Sequence, residues 1–80
     1  MERNELLKQI NGIFVKTLDN DELVVQETTR APDVAEWDSL THIELVVAIE
    51  KHFKIRFSSK EIQTWDDVGQ MMDCIQQKGV

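Results

Sequence analysis

The sequence predicts an all-α protein: a four-helix bundle of three main helices and one short helix, with a long first loop. Three observations carry this. Apolar residues recur at three- and four-residue spacings over most of the chain, and helix start and stop signals bracket those stretches. No two runs alternate with the period of two that paired strands require. Ile55-Arg56-Phe57 alternates, but a lone strand has nothing to pair with. Eighty residues suit one small domain, so a single unit over residues 1–80 is expected.

The first helix follows from Leu6, Leu7, Ile10, Ile13, Phe14 and Leu18, which share one face. Gly12 weakens it by roughly 1 kcal/mol relative to Ala without breaking the pattern. Asp19-Asn20-Asp21 ends it. Residues 19–38 form a long connection, because Thr28, Thr29, Pro32 and Asp33 are poor helix-interior residues. Leu23, Val24 and Val25 are expected to tuck against the core, in a connection long enough to be functional or to hold a small element. The second helix starts at Asp38-Ser39, both good N-cap types. Leu40, Ile43, Val46, Val47, Ile49 and Phe53, widened by Leu45 and Ala48, cover much of its circumference, which predicts a central helix packed on several sides. Ser58-Ser59-Lys60-Glu61 is a capping-box sequence that begins the short helix. Thr64-Trp65-Asp66-Asp67 is read as a second start signal, with Thr64 as the cap. Val68, Met71, Met72 and Ile75 give the last helix its apolar face, and Lys78-Gly79 closes it.

Composition narrows the function. With 41% hydrophobic and 30% charged residues, three Gly and one Pro, the chain is neither disordered nor of low complexity. The longest apolar run, Leu45 to Ile49, is far short of a membrane span, and Met1 to Glu5 has no apolar signal region, so neither insertion nor secretion is expected. One Cys excludes an internal disulfide and fits a reducing, cytoplasmic setting. The net charge of −6 is uneven: residues 1–18 and 51–80 each carry +1, while residues 19–50 carry −8. Such a stretch repels nucleic acid and attracts basic protein partners.

The sharpest feature is Asp38-Ser39-Leu40 at the start of the second helix. A serine there is exposed beside backbone N–H groups, and the positive end of the helix dipole favours a phosphate attached to it. Neighbouring acids suit a transient dock for a basic enzyme that brings the phosphate in.

From Trp37-Asp38-Ser39-Leu40-Thr41-His42-Ile43-Glu44-Leu45-Val46, through Ala48-Ile49-Glu50-Lys51-His52-Phe53, Ile55-Arg56-Phe57-Ser58 and Glu61-Ile62, to Val68–Ile75, the chain closely resembles the acyl carrier protein family. The first helix matches by pattern only. The resemblance implies a monomeric carrier, not an enzyme. It implies a 4′-phosphopantetheine arm on Ser39, with Asp38 orienting the loading transferase and its metal. Leu40, Ile43, Glu44, Val47 and Glu50 would contact partner enzymes. Leu45, Val46, Ala48, Ile49, Phe53, Ile62, Val68 and Met72 would line the interior that opens around an acyl chain. The implied partners are a phosphopantetheinyl transferase, an acyl-loading ligase or acyltransferase, and synthase or ketosynthase-type enzymes.

The chain departs from fatty-acid carriers in having Glu36-Trp37 before the Asp-Ser-Leu, Thr41 after it, and Lys51 where an acid commonly follows Glu50. These departures imply a specialised polyketide, modified-lipid or surface-glycan pathway. Three alternatives stay open: an aminoacyl or peptidyl carrier, a helical interaction module without a prosthetic group, and a Ser39-dependent enzyme with His42 as base. His42 otherwise reads as a surface residue. Cys74 reads as a small apolar residue of the last helix, and Trp65 as a staple of the short-helix junction. Trp37 either packs the loop end or shapes the surface beside Ser39. The cations Lys51, Lys54, Arg56 and Lys60 read as a solvated helix end rather than a nucleic-acid site.

Overall fold

Leu6, Ile10, Phe14 and Leu18 form the buried stripe of α1 (Arg3–Leu18) in the computed structural model, which describes residues 1–80. Asp19 ends the helix in the left-handed region, at φ 53°, with its N–H bonded to the Val15 carbonyl. Three further helices follow: α2 (Ser39–Phe53), α3 (Ser59–Gln63) and α4 (Val68–Gln77). No strand is present, and Ile55-Arg56-Phe57 is an irregular link between α2 and α3. No helix is long and apolar enough to cross a membrane.

The long connection from α1 to α2 holds one 3-10 turn, Ala31–Asp33. It is fastened on both sides. Towards α1, the Val25 N–H donates to Asn11 Oδ1 at 2.7 Å, and the Trp37 ring meets Phe14 edge-on at 5.0 Å. Towards α4, the carbonyls of Thr29 and Glu27 accept the N–H groups of Val68 and Gly69 at 3.0 and 2.7 Å. Those donors belong to the first turn of α4, where no intrahelical acceptor exists. Asp67 accepts from Gln70 N–H and completes the cap. Val25, Val34 and Trp37 from the connection thereby join the core formed by the α1 stripe, Leu45 and Ile49 of α2, and Val68, Met71, Met72 and Ile75 of α4. Val24 does not, being 68% exposed. In a non-helical stretch three successive side chains cannot all face one core, and Leu23 and Val25 take the inward places.

Arg3 locks the same junction. Its guanidinium donates to Glu27 Oε1, Gln76 Oε1 and the Gly69 carbonyl, and pairs with Asp73 at 2.7 Å. One side chain at the start of α1 thus ties the loop to α4. Nothing in the sequence pattern pointed to it, because its partners lie 24 to 73 residues away.

Two further expectations need correction. The cap of α4 is Asp67, not Thr64: Thr64 closes α3, donating its hydroxyl to the Glu61 carbonyl at 2.7 Å. Residues 64–67 contain two candidate cap types, and the backbone carbonyls of the long loop choose the later one. The second correction concerns α2, which is not packed on several sides. It buries Leu45, Val46 and Ile49, while Leu40, Ile43 and Val47 stay 71%, 50% and 42% exposed. The neighbouring α3 has five residues, none buried, and is too short to cover that face.

The Ser58–Glu61 capping box forms as expected. Glu61 then does more. It accepts from the Ser58 N–H, the Lys78 ammonium and the Cys74 thiol, and so links α3 to the end of α4. These contacts, led by the Ser58 N–H, hold its carboxyl down at about 2. Cys74 is pushed up by burial first and by the Glu61 carboxylate second.

The two helical glycines give opposite expectations. A methyl at Gly12 meets nothing within 4 Å, so Gly12→Ala should raise stability by about 0.5–1 kcal/mol. A methyl at Gly69 sits 3.0 Å from the Glu27 carbonyl oxygen, the atom its own N–H bonds. Gly69→Ala should therefore lower stability by about 1 kcal/mol despite the better helix propensity, and urea unfolding of both variants decides it. Glu61 sets a pH dependence. Its folded-state pKa is depressed, so its contribution is complete above about 4.5 and is lost as pH falls through about 2. Acid unfolding followed by circular dichroism should show a shallower fall between those values in Glu61→Gln.

Candidate functional site

The first turn of α2 presents backbone N–H groups with no intrahelical acceptor. Asp38 takes two of them: Leu40 and Thr41 donate to its Oδ1 at 3.0 and 2.9 Å. Thr41 reciprocates, accepting the Asp38 N–H at 2.8 Å and donating to the Glu36 carbonyl at 2.7 Å. The donors from Thr41 and Leu40 hold the Asp38 carboxyl below its ordinary value. All side-chain contacts of Asp38 fall on Oδ1, leaving Oδ2 open.

Because Asp38 does the capping, Ser39 does not. None of the hydrogen bonds at this turn engages the Ser39 hydroxyl, which stands exposed at the first helical position. Beside it lies an open cavity of about 470 Å³ whose walls include Trp37, His42, Gln63 and Trp65.

Those rings are a built structure. The buried Trp37 donates its indole N–H to His42 Nδ1 at 3.1 Å and stacks on the imidazole at 18°, with centroids 6.0 Å apart. His42 Nε2 faces the Ile62 carbonyl at 3.3 Å. The acceptor at Nδ1 makes Nε2 the protonated nitrogen, donating to Ile62. Trp65 stands edge-on to His42 and to Phe57, at 5.9 and 4.9 Å. The expectation of a surface His42 is thus corrected. It is half-buried and bridges the end of the long loop to α3, because the buried indole needs an acceptor. Trp37 fills both of its alternatives, packing the loop end on Phe14 and walling the cavity next to Ser39. Trp65 staples the short-helix junction as expected.

The remaining candidates separate into surface and interior. Leu40, Ile43, Glu44 and Val47 line an open groove of about 390 Å³ along α2. Glu50 is turned elsewhere: its Oε2 accepts the Phe57 N–H at 2.8 Å and shapes the α2–α3 link. Leu45, Ile49, Val68 and Met72 lie in the core, and Phe53 packs against it. Val46 is buried outside that cluster. Ala48 and Ile62 are not interior residues: both are half-buried, and Ala48 lines surface grooves on α2. Its place one residue beyond the exposed Val47 puts it on the outer shoulder of the helix.

Exposed and unengaged, the Ser39 hydroxyl is open to modification by a docked enzyme. It is poorly placed for intrinsic nucleophilic catalysis, since both nitrogens of the nearest imidazole are taken by Trp37 and Ile62. A phosphate ester on Ser39 fits the turn. The helix N-terminus favours its charge, and of the three acids that line the cavity the carboxylates of Asp38 and Asp67, though not that of Asp66, are already drawn onto backbone N–H groups.

Residues 8–75 match the family model described as a phosphopantetheine attachment site. The chain is 32% identical over 79 residues to an acyl carrier protein of Thermosynechococcus vestitus, covering 98% of this chain and 96% of that protein. It is also similar to the solution structure of the holo acyl carrier protein of Geobacter metallireducens. There the TM-score is 0.85 at 37% identity, with 91% of this chain and 84% of that one covered.

The indole–imidazole bond gives a measurable expectation. His42→Phe keeps a ring against Trp37 but removes its acceptor, which should cost about 1–3 kcal/mol for the buried donor left unpaired. In a Trp37→Phe background the same change should cost less, with a coupling of about 0.5–1.5 kcal/mol in a urea-unfolding double-mutant cycle.

Proposed function

The chain belongs to the acyl carrier protein family, and on that premise we propose that residues 1–80 form one carrier domain with Ser39 as its attachment point. It is a carrier of acyl groups on a covalently attached 4′-phosphopantetheine. When bound, that group supplies a long flexible arm and a terminal thiol that holds the acyl group as a thioester.

The observation that carries the assignment to Ser39 is its unengaged, exposed hydroxyl one residue after a completed cap. Asp38 holds the helix start and keeps Oδ2 available for the metal of a loading transferase. The exposed Leu40, Ile43 and Val47, with Glu44 beside them, offer a docking face next to the attachment point. Leu45, Ile49, Phe53, Val68 and Met72 lie where an acyl chain entering the bundle would meet them. The adjacent Met71 and Met72 make that interior adaptable.

The partners of this reading are a phosphopantetheinyl transferase, a ligase or acyltransferase that loads the thiol, and a synthase-type enzyme that uses it, in the cytoplasm. The pathway is a specialised one. Trp37 and Thr41, which distinguish the turn from fatty-acid carriers, are both built into the ordered loop end.

Incubation of the purified chain with coenzyme A and a promiscuous phosphopantetheinyl transferase, followed by intact mass measurement, tests the attachment. A gain of one phosphopantetheine is expected, and none in Ser39→Ala, whose fold is preserved because Asp38 supplies the cap. A folded chain that gains no mass beside an active control carrier, or a gain that survives in Ser39→Ala, overturns the assignment.

A further inference from the structure

The groove along α2 does not end at Val47. A second open cavity, of about 570 Å³, continues it past the end of α2 and is lined by Val47, Glu50, Lys51, Lys54, Ile55 and Arg56. Val47 and Lys51 line both. The result is one continuous surface, apolar near Ser39 and cationic at the far end.

Three cations face one acid there. Lys51, Lys54 and Arg56 are exposed, and the ion pairs of the chain lie elsewhere, at Arg3 and Lys78. The one acid in the lining, Glu50, accepts the Phe57 N–H and keeps its charge, so the lining stays net positive. Within a chain of net charge −6 this is a local inversion of sign on the face that carries the exposed apolar stripe.

Resting on the carrier reading, we propose that this face docks a protein whose surface has an apolar patch near its active-site mouth and a cluster of carboxylates farther off. Lys51 and Lys54 follow Ser39 by twelve and fifteen residues along α2, and Arg56 lies just past its end, so those carboxylates lie about 20 Å from the mouth along the α2 direction. The apolar stripe argues for a protein occupant, because Leu40, Ile43 and Val47 need a dry counterpart. The net negative charge opposes a phosphate-rich nucleic acid or an anionic membrane. Charge complementarity then sets orientation more than affinity.

The test uses the acetyl-loaded chain and a purified carrier-dependent ketosynthase with a basic docking face, together with a variant of that enzyme whose basic docking residues are changed to Glu. The readout is kcat/KM for acyl transfer. Wild type should favour the acidic variant by about tenfold, the preference should shrink with added salt, and Lys51→Glu/Arg56→Glu should reverse it. Lys54 is left intact because it ends α2 at φ 58°, where a reversed charge would also disturb the helix end. Lys51→Gln/Arg56→Gln, with helicity checked by circular dichroism, should fall between. A loaded chain with no preference, or with a preference for the basic enzyme, overturns this inference alone. A chain that does not load overturns the carrier reading and this inference with it. Binding to phosphatidylglycerol vesicles that the double substitution abolishes assigns the cations to lipid and overturns the protein partner.

Discussion

The N–H groups at the start of α2 have no intrahelical acceptor, and the Asp38 carboxylate takes those of Leu40 and Thr41 through one oxygen. Everything at the site follows from that allocation. Had Ser39 been the cap, its hydroxyl would be drawn onto the backbone, and modifying it would cost the helix its start. With the cap one residue earlier, Ser39 sits on a finished helix and can carry a charged substituent without disturbing the fold. Thr41 secures the arrangement by holding Asp38 N–H and the Glu36 carbonyl with one hydroxyl.

The same need for acceptors at helix starts organises the rest of the chain. The first turn of α4 finds its partners in the carbonyls of Glu27 and Thr29, so the long connection is a structural element rather than slack. Gly69 allows that approach, and Arg3 fastens it from α1. With so much of the connection pinned, Trp37 is delivered to a fixed place at its end. From there it organises His42 and, through Ile62 and Trp65, the short helix.

The helices and the exposed serine at the start of α2 were legible because the signals are local. Apolar spacing, cap residues and an Asp-Ser-Leu at a helix start require nothing from the rest of the chain. What stayed hidden depends on partners distant in sequence. The Arg3 cluster, the Asn11 contact to Val25 and the two loop carbonyls at α4 have no local signature. The choice of Asp67 over Thr64 is of this kind, since the loop decides it. His42 was misread for the same reason: its environment is made by an indole five residues earlier and a carbonyl twenty residues later. The wide apolar circumference of α2 read as packing by its spacing, and only the family resemblance set Leu40, Ile43 and Val47 apart as a contact surface. The brevity of α3 is the physical reason that part of that circumference has nothing to pack against.

That unburied stripe has a physical consequence for a protein this small. A large apolar side chain left fully exposed forgoes about 1.5–3 kcal/mol of burial, and a half-exposed one part of that, in a domain whose whole stability is only about 5–15 kcal/mol. Leu40, Ile43 and Val47 share a helix face with spacings of three and four, so their exposure is one contiguous feature. A catalyst would enclose its chemistry. A carrier must instead deliver its cargo into other proteins, and the surface around its attachment point has to stay available to them. Under the proposed function the exposed stripe on the first three turns of α2 is that surface, and its cost in stability is the cost of keeping it available.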